Sequence, residues 1–101
     1  MHCRAVTVQI QPGKTQEAID IYKDSVLPAA KQQKGFGGAY LMTDAATGKG
    51  LSITVWESQA DMEAGEASGY YQEQIAKFGS VFVGTPVVEH YELNVDSGPG
   101  G

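Results

Sequence analysis

One cysteine, one tryptophan and two histidines are all that 101 residues contain of these types, and no stretch approaches a long apolar run. Each scarcity removes a class of protein. The lone Cys3 cannot build an internal disulfide framework and suits a reducing compartment, so a cytoplasmic location is the expectation. The start, from Met1 to Val8, alternates instead of forming the apolar core of a signal peptide, and nowhere are there the ~20 apolar residues that a membrane span needs. Basic residues are scarce too: 7 Lys and Arg stand against 12 Asp and Glu, a formal charge of -5. Such a chain offers no basic face to phosphates, so nucleic acid and anionic membranes are not its expected partners. Small molecules or other proteins fit better.

What is present is ordinary globular material, 42% hydrophobic and 19% charged, enough for one domain with a small core. Residues 1–95 are the expected domain. Residues 96–101, Asp-Ser-Gly-Pro-Gly-Gly, form a C-terminal tail whose composition buries nothing and predicts flexibility.

From Ala5 to Ile10 the chain alternates, with Val6, Val8 and Ile10 on one face, the period of a strand. Thr15 is the expected N-cap of a long helix carrying Ala18, Ile19, Tyr22, Val26 and Ala30 at helical spacing, with Glu17 in its first turn. Pro28 lacks a donor and crowds the carbonyl of Asp24, which predicts a kink or two segments. Gly35 is the expected C′ residue. Phe36–Thr43 and Leu51–Trp56 read as a hairpin of strands around the loop 44–50. Ser58 and Asp61 have capping-box spacing, so a second helix starts just after Trp56. Ser68-Gly69 breaks it, Tyr71, Ile75 and Phe78 mark a further short helix, and Val87–Val95 reads as the last strand after Pro86.

This is a βαββαβ order, an α+β, ferredoxin-like antiparallel sheet with its helices on one face. Neither side of the last strand looks purely solvated, because Val87, Tyr91, Leu93 and Val95 oppose Val88 and His90. Such a sheet wants a partner, most simply a second copy.

The runs Val26-Leu27-Pro28, Gln33-Lys34-Gly35-Phe36-Gly37-Gly38-Ala39-Tyr40, Thr43-Asp44, Thr47-Gly48, Thr54-Val55-Trp56-Glu57-Ser58 and Pro86-Val87-Val88-Glu89 resemble the antibiotic biosynthesis monooxygenase-like domains of the dimeric α+β barrel superfamily. The resemblance covers about Arg4 to Val95. It implies a homodimer whose two sheets form a barrel, with a small-molecule cavity between sheet and helices in each subunit. It also implies a range of activities that includes cofactor-free quinone-forming oxygenases and haem-degrading oxygenases. The haem-degrading relatives use an Asn, a Trp and a His; carried over by spacing, those positions hold Val6, Gly65 and Ile75. None matches, which disfavours haem degradation.

The chemical candidates are few. His90 and Tyr71 are the candidate catalytic residues, His90 as a base that titrates near neutrality and Tyr71 as a phenol that can stabilise charge. Tyr22, Trp56 and Tyr40 are the candidate ligand-binding residues, although packing at the strand-helix junction is the simpler role for Trp56. His2 and Cys3 lack the further ligands a metal requires, and neither a metal nor a cofactor is expected. Gly35 to Gly38 follows a helix C-terminus, where the dipole repels anions, so it is no phosphate loop. The expected function is a cofactor-independent monooxygenase on an aromatic, polyketide-like small molecule. The alternative is a non-catalytic dimeric small-molecule-binding or stress-associated module of the same fold.

Overall fold

Alternation places the first strand in the middle of the sheet. The computed structural model describes residues 1–98, and in it β1 (His2–Ile10) pairs antiparallel with both β3 (Lys49–Trp56) and β4 (Phe82–Glu92), while β2 (Phe36–Asp44) pairs with β3. The order across the sheet is β2-β3-β1-β4. Arg4, Val6, Val8 and Ile10 point to one face of β1 and are all buried. Cys3 and Ala5 point to the other, each small and flanked in register by Val55 and Tyr91, and by Ile53 and Glu89.

The helices all cover the first of these faces. α1 (Thr15–Ile21) and α2 (Leu27–Lys31) are joined by a wider π-helical turn, Tyr22–Val26, in which the Leu27 N–H reaches the Tyr22 carbonyl. Pro28 accounts for that turn: it has no N–H to return to Asp24, and its ring would collide with that carbonyl in a regular helix. α3 (Gln59–Ala67) is capped as its sequence predicts, the Asp61 N–H donating to Ser58 Oγ at 3.1 Å. α4 (Tyr70–Ala76) follows the Ser68-Gly69 break, and a 3₁₀ turn, Gly79–Val81, leads into β4. Val6, Val8, Ile10, Ala18, Tyr22, Val26, Phe78 and Val81 form the core between the two layers.

Three sequence expectations need correction. Thr15 is the first helical residue, not the cap: the Lys14 carbonyl already accepts from the Ala18 N–H at 3.0 Å, and no side chain caps the helix. Gly35 lies beyond the helix end rather than at C′. With φ of +80° it occupies the third position of a turn closed by the Phe36 N–H and the Gln33 carbonyl at 3.3 Å, a position that favours glycine. The last strand begins at Phe82, five residues before the expected Val87. Pro86 is tolerated inside it because the register with β1 slips between Thr7 and Gln9, opening a bulge on an edge strand. The expected tail lies partly outside the described residues; Asp96 to Gly98 are exposed and belong to no helix or strand.

The far face of the sheet carries no helix. Tyr40, Met42, Val83, Val87 and Tyr91 stand on it, each 45–59% exposed. Among the described residues, no helix is long and apolar enough to cross a membrane.

Candidate functional site

The two layers do not close completely over the sheet. Between them lies a cavity of about 60 Å³, walled by β1, the β2–β3 hairpin strands, the bent first helix pair and α4. At roughly 10–15 Å³ of such space per water it has room for about four to six waters, or for a molecule of one or two rings. Most of its wall is apolar, from Val6, Val8, Ile10, Ala39, Leu41, Ile75 and Phe78 among others.

Its polar groups are few and come from identifiable places. Arg4 stands in the inward row of β1 beside the aliphatic Val6, Val8 and Ile10, and it is only 3% exposed. Its Nη2 donates to the Met62 carbonyl at 2.7 Å and its Nε to Glu66 Oε2 at 3.3 Å, both on α3. Gly65 lies beside this contact, where a Cβ would crowd the Tyr70 ring at 3.2 Å and only touch Arg4 Nη2 at 3.4 Å. The guanidinium carbon lies 5.6 Å from the Trp56 ring centre and 5.0 Å from that of Tyr71, distances at which an aromatic face stabilises a cation. Among the described residues, the remaining nitrogen, Nη1, has no hydrogen-bond partner.

Glu66 serves a second partner, because His90 Nε2 lies 2.9 Å from the same Oε2. Tyr22 reaches across the cavity floor, its hydroxyl donating to the Tyr40 carbonyl at 3.4 Å and lying 3.0 Å from Ser52 Oγ. Burial pushes the Tyr22 phenol above its ordinary pKa, against a smaller opposing effect of the Ser52 bond. Tyr70 and Tyr71 are raised by burial as well, with the Arg4 charge pulling the other way. All three are therefore neutral phenols near pH 7, and the Tyr70 and Tyr71 hydroxyls can donate a hydrogen bond to a developing anion. The described residues contain no group of three His, Cys, Asp or Glu side chains placed to hold a metal ion.

The sequence model of the antibiotic biosynthesis monooxygenase family matches residues 1–77. The chain belongs to this family. Two uncharacterized Mycobacterium tuberculosis proteins, from strains CDC 1551 / Oshkosh and ATCC 25618 / H37Rv, are each 28% identical over 97 residues, 92% of this chain. The chain spans 41% of the length of those relatives. Among solved structures, a protein of unknown function from Nitrosomonas europaea has a TM-score of 0.77 at 18% identity, covering 99% of this chain and 95% of its own. SnoaB, a cofactor-independent oxygenase from Streptomyces nogalater, has a TM-score of 0.76 at 11% identity over 95% of both chains. A Streptomyces coelicolor monooxygenase in complex with nanaomycin D has a TM-score of 0.70 at 16% identity, covering 97% and 91%. Identities this low establish the fold that the three share with this chain, and nothing more.

Within this antibiotic biosynthesis monooxygenase fold, Tyr22, Trp56 and Tyr71 come together on the cavity wall. Trp56 does more than line it: fully buried, it packs edge-on against Phe36 at 5.8 Å and donates from Nε1 to Thr54 Oγ1 at 3.0 Å. Tyr40 is elsewhere. Its side chain stands on the uncovered face of the sheet, and only its backbone carbonyl meets the cavity group Tyr22. His90 is half-exposed and does not line the cavity, touching it only through Glu66 and Arg4. Sequence reasoning missed Arg4, Tyr70 and Gln74. The signal for Arg4 was available: it continues the spacing of Val6, Val8 and Ile10 by one step, so a charge there must be buried and partnered.

Proposed function

We propose that this chain is a cofactor-independent monooxygenase acting on a small electron-rich phenol of one or two rings that carries hydrogen on the ring carbon opposite its hydroxyl, and that it works in the cytoplasm as a homodimer. The observation that carries the reading is the buried Arg4 guanidinium, ion-paired to Glu66 and, among the described residues, with Nη1 left without a partner, which lines an apolar cavity together with phenols that burial keeps neutral. A cation in such a place lowers the pKa of a bound aryl hydroxyl, because the anion gains a partner while water is excluded.

The chemistry then comes from the substrate. The aryl hydroxyl gives its proton to solvent water, the anion passes one electron to dioxygen, and the resulting radical pair joins at the hydrogen-bearing ring carbon opposite the oxygen. That forms a C–O bond and, with a proton, a hydroperoxide. Cleavage of its O–O bond with loss of the ring hydrogen releases water and leaves a second carbonyl, so one oxygen atom enters the quinone and the other leaves as water. Electrons for the reduction come from the arene itself. Arg4 and the Tyr70 and Tyr71 hydroxyls hold the anion, and Trp56 and the aliphatic wall hold the ring. His90 is a positioning residue in this scheme, since it fixes Glu66 and through it Arg4.

The homodimer is supported by the apolar, uncovered sheet face, which a second copy can bury. Oxygen uptake by the pure protein with catechols and naphthols tests the activity. The expected result is turnover that Arg4→Met lowers by about 100-fold in kcat/KM. Binding without uptake across that panel defeats the oxygenase reading in favour of a binding module.

A further inference from the structure

α4 directs one side at the sheet, with Tyr71, Gln74 and Ile75 on it at helical spacing and Phe78 just past its end. Three of the four are what a cavity wall needs. The fourth is an amide, only 7% exposed, whose Oε1 has no solvent contact and no hydrogen-bond partner among the described residues. A buried carbonyl left in this condition destabilises the fold, and a leucine or methionine of similar volume would not carry that cost. Neighbouring groups do not relieve it. The Tyr22 hydroxyl is engaged with Ser52 and the Tyr40 carbonyl, and Arg4 Nη2 is turned to Met62.

We propose that Gln74 is the residue by which the cavity selects its ligand, and that the ligand it selects is an arene bearing two hydroxyl groups. This deepens the phenol reading above and rests on it. Arg4 Nη1 offers only hydrogens, so it takes an ionised or carbonyl oxygen; the Gln74 carbonyl offers only lone pairs, so it takes an O–H. The two buried side chains line one small cavity from opposite layers, Arg4 from β1 in the sheet and Gln74 from α4. A phenol with a single hydroxyl satisfies one of them and leaves the other orphaned. A diol satisfies both, and discrimination follows because a site built to bond a hydroxyl rejects the analogue lacking it.

Trp56 makes this measurable, since it is the only tryptophan and lines the same cavity, so its indole N–H gives a single reporter peak in a ¹⁵N–¹H spectrum. Phenol, catechol, resorcinol and hydroquinone are titrated under argon against the unmodified chain and against Gln74→Leu and Gln74→Met. At least one diol should bind the unmodified chain about tenfold more tightly than phenol, and in both variants that preference should fall to about twofold or less. The unfolding midpoint of each variant should equal or exceed that of the unmodified chain. A diol preference that persists in the variants, no preference in the unmodified chain, or a lowered midpoint in both variants overturns the assignment of Gln74 while leaving the phenol site standing. If none of the four probes moves the Trp56 peak, the phenol reading falls and this inference falls with it.

Discussion

Arg4 and Glu66 are unequal partners, and the inequality is testable. Arg4 is almost wholly buried while Glu66 keeps 27% of its side chain in solvent. Removing the carboxylate strands a cation in the interior; removing the cation leaves an anion that His90 and water still reach. Glu66→Leu should therefore cost ~3 kcal/mol in urea unfolding, and Arg4→Met ~1 kcal/mol, with the double variant above the sum of the two in a thermodynamic cycle. The phenols set a second expectation. Burial raises Tyr22, Tyr70 and Tyr71 above the ordinary value of 10.0, so the folded chain keeps protons that the unfolded chain gives up. Their contribution is complete below about pH 10 and is lost as pH rises through the folded values. The urea midpoint should fall above that pH, less steeply in Tyr71→Phe. At this scale legibility was uneven. Tyr22 and Tyr71 could be read from helical spacing, but Gln74 could not, because a polar residue in a helix is usually solvated and only packing reveals its burial. Tyr40 was out of reach for another reason: the register of β2 shifts between Phe36 and Gly38, and a slip of one residue exchanges the two faces of a strand.

Elements meet most tightly where the turn before β2 touches the start of α3. Gly35, at φ of +80°, leaves no room for a Cβ against the Asp61 side chain, and its carbonyl accepts from the Glu57 N–H at 2.8 Å. Gly35→Ala should thus lower stability by about 2 kcal/mol through backbone strain and collision together. Adding Asp61→Ala should recover the part due to collision, a split that thermal unfolding of the single and double variants can measure. Strand and helix order was legible because periods of 2 and 3.6 residues are local properties. Boundaries were less so: the early start of β4 depends on a bulge opposite Val8, which arises from pairing and leaves no mark in β4 beyond Pro86.

The whole molecule has one side finished and one side bare. Its helices bury the inner face of the sheet, while Tyr40, Met42, Val87 and Tyr91 leave the outer face apolar and open. Val87 stands on the edge strand β4 beside Glu89, and in the proposed homodimer a second carboxylate there would bury like charge, so Val87→Glu should shift the protein from dimer to monomer in sedimentation equilibrium and lower its unfolding midpoint. The unmodified chain should show a midpoint that climbs with protein concentration. For the cell this makes abundance part of the fold. In the proposed homodimer, newly made or thinly expressed copies would spend longer unpaired, where quality-control proteases reach them, so the lifetime of each molecule would be set by how many others are present.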